Sequence, residues 1–420
     1  MNIRNAAFWM LDYIKGGKVH SEMKQVESDM LRSAPDTDRL KSILQYAVDN
    51  VPYYKNIKSV DIKSFPVMNK SMYLADYDKF QSPEFAGRDL YTYYTSGSSG
   101  TPFHGFQDGG KRNKHTADFL YFMKKCGWNL GERYIFLRAW TSQYNNSKLN
   151  NIKNNSITFN VLDFNEEMMK RISEHLVNDR SIKMLLGYGS ALNQFADYVE
   201  KNNIYTDNLK TIVSDSDALE KDKRLILKKH FNCNVIDRYS NEEHGLIGFS
   251  FDVNEPFEIN YSSYFVELLK IDSDEYAEKG EVGRVVITDL YNKAMPLIRY
   301  ELGDLAISDD ESRCGVVSIR NLQGRLSDML VLKSGVRISS TVVNNHMEYM
   351  EGVEKYQLVQ NGIGDFTLYV VEKTPKFTDE DFYKALEPCI ECNSVLKVVR
   401  TDDIPSGKNG KFKTVISKCN

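Results

Sequence analysis

The feature that most constrains this chain is an alternation of short apolar segments with amphipathic ones through its middle. Tyr134–Leu137, Ile182–Leu186, Leu209–Val213 and Asn234–Asp237 are short and mostly apolar, and read as buried strands. Ser190 is placed to cap a helix with Leu192, Phe195, Ala196 and Val199 on one face, and Leu219–Phe231 reads as a second helix. Strands separated by helices pair through crossovers, which predicts a parallel sheet with helices packed on it. Ligands of such sheets bind at the loops leaving the carboxyl ends of the strands.

The flanks differ in texture. The first ninety residues read as mostly helical and irregular, with Asp36-Thr37-Asp38 capping a helix that carries Leu40, Ile43, Leu44 and Ala47. Asp89–Thr95 is rich in Tyr and Thr and reads as a strand. A Gly/Ser loop follows, then a helix from about Lys111 to Cys126. The Asn-rich tract Asn145–Asn155 reads as a loop. Beyond residue 245 strands dominate, at Phe265–Ile271, Arg284–Thr288, Leu305–Ser308, Val316–Arg320 and Met329–Leu332. The last ninety residues read as a small α+β unit. Its helices lie near Thr341–Met350 and Asp379–Leu386; strands Tyr356–Gln360 and Thr367–Val371 join around Asn361-Gly362, and Val395–Val399 is a third strand. The expected class is α/β (α+β overall). A large N-terminal domain with parallel sheets flanked by helices and a strand-rich part, residues 1–325, precedes a small α+β C-terminal domain, residues 328–420, across a hinge near 326–328. A chain of 420 residues accommodates two or three such domains.

Charge narrows the partners. Lys plus Arg total 54 against 58 Asp plus Glu, a net of −4, so no overall basic excess draws in nucleic acid or an anionic membrane. The apolar stretch Ala6–Leu11 is interrupted by Asp12 and lacks a small-residue cleavage site, which fits an amphipathic helix better than an export signal. The charge-free run Met184–Ala196 is too short and too polar to span a bilayer. Six scattered cysteines read as free thiols of a reducing, cytoplasmic compartment; Cys389 and Cys392 form a lone CxxC without the second pair a structural zinc wants.

The strongest chemical signal is Tyr94–Phe103, YTSGSSGTPF. Its glycines let backbone approach an anion, its hydroxyls add donors, and the N–H groups of such a turn form a nest for phosphate oxygens. A rival lies just downstream: Gly105 to Lys111 satisfies G-x-x-x-x-G-K. Arg112 stands there where a P-loop needs Ser or Thr, and no clean apolar strand precedes it, so it is rejected.

With YTSGSSGTP in view, the chain resembles the adenylate-forming acyl-ligase superfamily, and within it the phenylacetate–CoA ligase branch and related proteins of capsular polysaccharide clusters. The resemblance runs in order from about residue 90 to the C-terminus. It implies that Thr95, Ser96, Gly97, Ser98, Ser99, Gly100 and Thr101 grip phosphates. It places Tyr239 of Asp237-Arg-Tyr-Ser-Asn-Glu-Glu243 against adenine and Glu243 on magnesium, with Glu242 an alternative carboxylate. Ser214, Asp215 and Ser216 match an adenine-contacting turn. Asp304, in Ile298-Arg-Tyr-Glu-Leu-Gly-Asp304, matches the ribose-binding aspartate, and Arg325 an arginine near ribose and phosphates. Ser327 and Asp328 fall at the hinge. Lys411 fits the lysine that assists adenylation, with Lys408 as its alternative, and Trp140 and Tyr144 fall where an acyl pocket is lined.

The activity implied is carboxylate activation with ATP and Mg²⁺ through an acyl-adenylate, then transfer to a thiol, coenzyme A or a carrier. Two alternatives stand beside it: transfer to an amine such as an amino sugar in surface polysaccharide synthesis, and a catalytically degenerate nucleotide-binding scaffold. The expected partners are a small carboxylic acid, ATP and the acceptor, with neither nucleic-acid binding nor membrane insertion.

Overall fold

The computed structural model describes residues 2–32, 34–94, 104–140, 147–308, 310, 314–320, 322, 329–338, 340–347, 350, 352–372, 374, 376–405 and 412–419. The side chains of Asp163, Thr341 and Asn345 are outside that description. The chain opens with helices α1 (Ile3–Ile14), α2 (Lys18–Met30), α3 (Thr37–Asn50) and α4 (Lys70–Ala75). Asp36 caps α3 as its sequence predicts, accepting from Asp38 and Arg39 N–H, and Leu40, Ile43, Leu44 and Ala47 are buried. Strands β1 (Tyr91–Tyr94) and β2 (His104–Gln107) form an antiparallel hairpin with Tyr94 opposite His104, followed by α5 (Gly109–Lys125).

The predicted alternation then unfolds as β3 (Arg133–Arg138), α6 (Lys148–Asn154), β4 (Ser156–Asn160), α7 (Glu166–Asn178), β5 (Ile182–Tyr188), α8 (Gly189–Lys201), β6 (Thr211–Asp215), α9 (Lys221–Phe231) and β7 (Asn234–Asn241). The parallel strands lie in the order β4-β3-β5-β6-β7. The chain steps outward from β3 to β4, crosses back to β5 and continues the other way. That reversal opens a crevice between the carboxyl ends of β3 and β5, where open α/β sheets hold their ligands. Antiparallel β8 (Gly245–Ser250) and β9 (Phe257–Ile259) extend the sheet. Next come β10 (Tyr264–Leu269), β11 (Val282–Asp289) and β12 (Tyr300–Ile307), a three-stranded antiparallel sheet, and β13 (Ser318–Ile319), which completes the edge of the large sheet beside β9.

The last elements are β14 (Leu330–Val331), β15 (Arg337–Ile338), α10 (Ser340–Met347), β16 (Val353–Gly362), β17 (Asp365–Glu372), α11 (Asp379–Ile390), β18 (Val395–Arg400) and β19 (Val415–Ser417). Four of them form the sheet β18-β17-β16-β19. Its buried side chains, including Leu358, Phe366, Leu386 and Cys389, cluster only with residues from 330 onward.

Three readings are corrected. Asn145–Asn155 is not all loop: Ser147 caps α6, accepting from Asn150 N–H, and Asn155 ends it in the left-handed conformation at φ +55°. Asn is well suited to both ends of a helix, so a compositional loop signal concealed a capped one. Ser190 is not the cap of α8. Strand β5 runs to Tyr188, the helix begins at Gly189, and Asp217 Oδ1 accepts the Ser190 N–H at 3.2 Å. A Cβ on Gly189 would lie 2.4 Å from Asp217 O, so only glycine lets the helix start this close. The hairpin β16–β17 turns at Ile363-Gly364, with Gly362 still paired to Asp365 and Gly364 at φ +75°. Elsewhere the apolar face of α8 behaves as read: Leu192, Phe195, Ala196 and Val199 are all buried. Each large side chain there contributes about 1.5–3 kcal/mol. Among the described residues, no helix is long and apolar enough to cross a membrane.

Candidate active site

The carboxyl ends of the parallel strands carry a polar cluster. Arg138, at the end of β3, hydrogen-bonds Tyr188 at the end of β5, and its Nη2 lies 3.3 Å from Glu242 Oε1. Arg238 Nη2 lies 2.5 Å from Asp215 Oδ1, which also accepts from Ser240 Oγ at 3.2 Å. Ser216, at φ +73°, turns the chain sharply away from β6. Ser214 is fully buried and donates its hydroxyl to Asp237. Burial pushes the Asp237 carboxyl up to about 6, against the hydroxyl of Ser214 and the charge of Arg224. Trp140 follows β3. Its N–H donates to Asn160 Oδ1 at 3.1 Å, and its indole packs edge-on to Phe136. The indole Nε1 is buried with no hydrogen-bond partner among the described residues.

Tyr239 and Asp304 meet across 65 residues of chain: the phenol donates to Asp304 Oδ2 at 2.7 Å. A bulge makes this possible. Arg284 pairs with Leu305 and Val286 with Glu301, so Leu302–Asp304 all bow out opposite Val285, with Gly303 at φ +79°. The bulge lifts Asp304 off the ladder toward β7.

Glu243 sits in a tight turn under the β1–β2 hairpin. Gln107, on β2, donates from Nε2 to the Glu243 carbonyl at 3.0 Å. Tyr93, on β1, is fully buried; burial first, and then the charge of Glu243, hold its phenol well above the usual range. A Cβ at Gly105 would strike the Tyr93 hydroxyl at 2.2 Å, so glycine is required in the hairpin stem. Asn241 Oδ1 accepts the His244 N–H at 2.7 Å. Gly245 adopts φ +88°, and a Cβ there would lie 2.5 Å from the His115 ring. Glu242 is exposed and turned to Arg138, whereas Glu243 is half-buried beside the hairpin. The two adjacent acids are thus distinguished by environment.

Beneath this turn lies a buried relay for which the sequence carried no signal as a site. Tyr264 donates its hydroxyl to the His244 carbonyl. Lys111 Nζ donates to the Tyr264 hydroxyl at 3.1 Å and lies 2.6 Å from Asp289 Oδ2. The G-x-x-x-x-G-K pattern is therefore a strand followed by a helix start: Gly105–Gln107 belongs to β2, Asp108 caps α5, and Lys111 points inward. Thr95, Ser96, Gly97, Ser98, Ser99, Gly100, Thr101, Tyr144, Arg325, Ser327, Asp328, Lys408 and Lys411 lie outside the described residues.

His115 supplies a pH signature. Arg112 donates to His115 Nδ1 at 3.2 Å; a guanidinium cannot accept, so the ring is neutral with its proton on Nε2. Burial, then the charges of Arg112 and Lys111, lower its pKa to about 4. Below the ordinary value of about 6.5 the unfolded chain takes up a proton that the folded chain does not. Stability from this group is therefore present above pH 6.5 and is lost as pH falls toward 4. Asp237, raised to about 6, acts oppositely between 6 and 4, so the variant comparison isolates His115. Urea midpoints of wild type are expected to fall from pH 7 to 5 more steeply than those of His115→Asn. Parallel slopes would refute a neutral His115.

This fold, with its large sheet and following α+β unit, is that of the adenylate-forming acyl-CoA ligases. It aligns over 91% of the chain, and 88% of the other, with 2-hydroxyisobutyryl-CoA ligase in its postadenylation state, at a TM-score of 0.67 and 16% identity. Residues 330–418 match the CapK C-terminal domain family. In sequence the chain is similar to Protein CapK of Staphylococcus aureus, 25% identical over 191 residues, 44% of this chain and 41% of that protein. It is also similar to the phenylacetate-coenzyme A ligase of Thermus thermophilus, 36% identical over 100 residues, 23% of this chain and 22% of that enzyme. The matches thus span under half the length of either curated relative.

Proposed function

We propose that the chain activates a carboxylic acid with ATP as an acyl-adenylate and passes the acyl group to a thiol, coenzyme A. The observation that carries this reading is Glu243, whose backbone carbonyl accepts from Gln107 of the hairpin that the Gly/Ser string connects. A carboxylate beside a phosphate-binding loop suits a nucleotide with its cation. Among the described residues no cluster of three or more His, Cys, Asp or Glu forms. A hard cation at Glu243 would be held by one or two carboxylates together with the phosphates of the nucleotide, a donor set that fits Mg²⁺ and would let it neutralise phosphate charge. Glu243 is the proposed ligand.

In the first step a carboxylate oxygen attacks the α-phosphorus, a C–O–P bond forms, and pyrophosphate leaves. Orientation and charge stabilisation do most of this work. Residues 95–101 hold the departing pyrophosphate. Asp304 accepts from the ribose hydroxyls, the face of Tyr239 carries the base near Ser214–Ser216, and Arg325 lies by ribose and phosphate. Trp140 and Tyr144 line the acyl side. Lys411 comes from residues 328–420, acting as a lid about a hinge at Ser327 and Asp328. In the second step the thiol sulfur attacks the acyl carbon and AMP leaves.

A pyrophosphate-release screen against a library of carboxylic acids, with hydroxylamine as trap, tests the reading. Release that turns over only with coenzyme A supports it; turnover with an amine and no thiol moves the acceptor to an amine. Tight ATP binding with no release for any acid leaves a scaffold. Within the same assay Glu243→Gln is expected to raise the Mg²⁺ needed for half-maximal release by about tenfold or more. Glu242→Gln removes an exposed carboxylate paired with Arg138 and is expected to change little. The reverse ranking would assign the cation to Glu242.

A further inference from the structure

Helix α1 is built inside out. Its packed side carries Asn5, Phe8, Trp9 and Asp12. Phe8 and Trp9 rest on Val19, Ala117 and Leu120, and Asn5 Nδ2 donates to the Leu130 carbonyl at 3.3 Å. Asp12 is buried and accepts from Val19 and His20 N–H, both at 3.0 Å. At about 100° per residue the opposite side carries Ile3, Ala7, Met10, Leu11 and Ile14. That side faces solvent: Ile3 is 83% exposed, Met10 66% and Ile14 67%.

Single exposed apolar residues are ordinary. A helix that turns its broader apolar face outward marks a docking surface. The helix is held firmly in that pose. Asn2 caps it, Asp12 ties it to α2, and Gly131 abuts Asn2 and Arg4 so closely that a Cβ would lie 2.6 Å from Asn2 Oδ1. The surface continues onto α6: Arg4 Nη2 donates to the Ile152 carbonyl at 3.4 Å, and Ile152 and Leu149 are both exposed.

Charge selects the occupant. Arg4, Lys15 and Lys18 border the first helix, and Lys148 and Lys153 lie on the second. The one acid in α1, the turn after it and α6 is Asp12, which is buried and committed to α2. An apolar face flanked by cations, with no exposed acid in α1, the turn after it or α6, thus sits on a chain whose net charge is −4. A bilayer with acidic headgroups offers an apolar layer and a negative surface together. We propose that α1 and α6 dock this protein peripherally on an anionic phospholipid bilayer.

The test is flotation of the full chain with phosphatidylcholine vesicles and with vesicles containing about 30% phosphatidylserine. The chain is expected to float with the acidic vesicles, to remain behind with the neutral ones, and to be released by salt at about 0.5 M. Met10→Glu with Ile14→Glu, and separately Lys148→Glu with Lys153→Glu, should each lower the bound fraction about tenfold. These sites are exposed, so urea midpoints should hold. Absence of flotation by the wild type, or flotation of both variants equal to that of the wild type, overturns the proposal. So does a wild-type dimer that Met10→Glu with Ile14→Glu dissociates, since a second copy would then cover the face.

Discussion

Lys411→Ala is expected to reduce acyl-adenylate formation by about 10²–10³-fold while leaving thiolysis of a supplied acyl-adenylate largely intact. The asymmetry follows from where charge changes. As the carboxylate attacks, negative charge builds on the phosphate oxygens, and a cation placed there binds the transition state more tightly than the ground state. Attack of a thiol on the acyl carbon builds charge on the carbonyl oxygen instead, and in the proposed cycle the lid has by then carried the lysine away. Single-turnover pyrophosphate release measures the first step; coenzyme A-dependent AMP release from synthetic acyl-adenylate measures the second. Equal loss in both would remove Lys411 from this role. Lys408→Ala is the internal comparison: it lies three residues away in the same Gly-Lys context, and a larger defect there would move the assignment.

How far these features could be read from sequence depends on what holds them. The parallel sheet was legible because β5 and β6 are buried on both faces, and such strands write themselves as largely apolar runs. Strand β7 was read only to Asp237, yet it continues through Arg238, Tyr239 and Ser240 to Asn241. Those polar residues extend the strand because Asp215 and Asp304 receive them from other elements, and no local pattern announces a partner 65 residues away. Tyr239, Glu243 and Asp304 stood out since each lies in a contiguous motif. Arg138 and the relay from Lys111 to His244 did not. A lysine with no exposed surface contradicts every compositional expectation, and its partner Tyr264 is 153 residues distant.

That relay predicts the largest stability effect. Lys111 and Asp289 are both fully buried, 2.6 Å apart. Replacing one member of such a pair strands the other charge, and Lys111→Met is expected to cost about 3–5 kcal/mol in urea unfolding. Asp289 divides its work between two oxygens. Oδ1 accepts the N–H groups of Tyr291 and Asn292, while Oδ2 faces Lys111. Asp289→Asn retains the first function and discards the charge. Combining it with Lys111→Met should therefore recover most of the loss, and a double variant no more stable than Lys111→Met would show that packing, not the stranded charge, set the cost. The same experiment reaches the site. Lys111 also orients the Tyr264 hydroxyl that holds the His244 carbonyl, one residue from Glu243. If the relay positions that turn, the double variant recovers stability yet still needs more Mg²⁺ for pyrophosphate release, because methionine restores the packing but cannot donate to Tyr264.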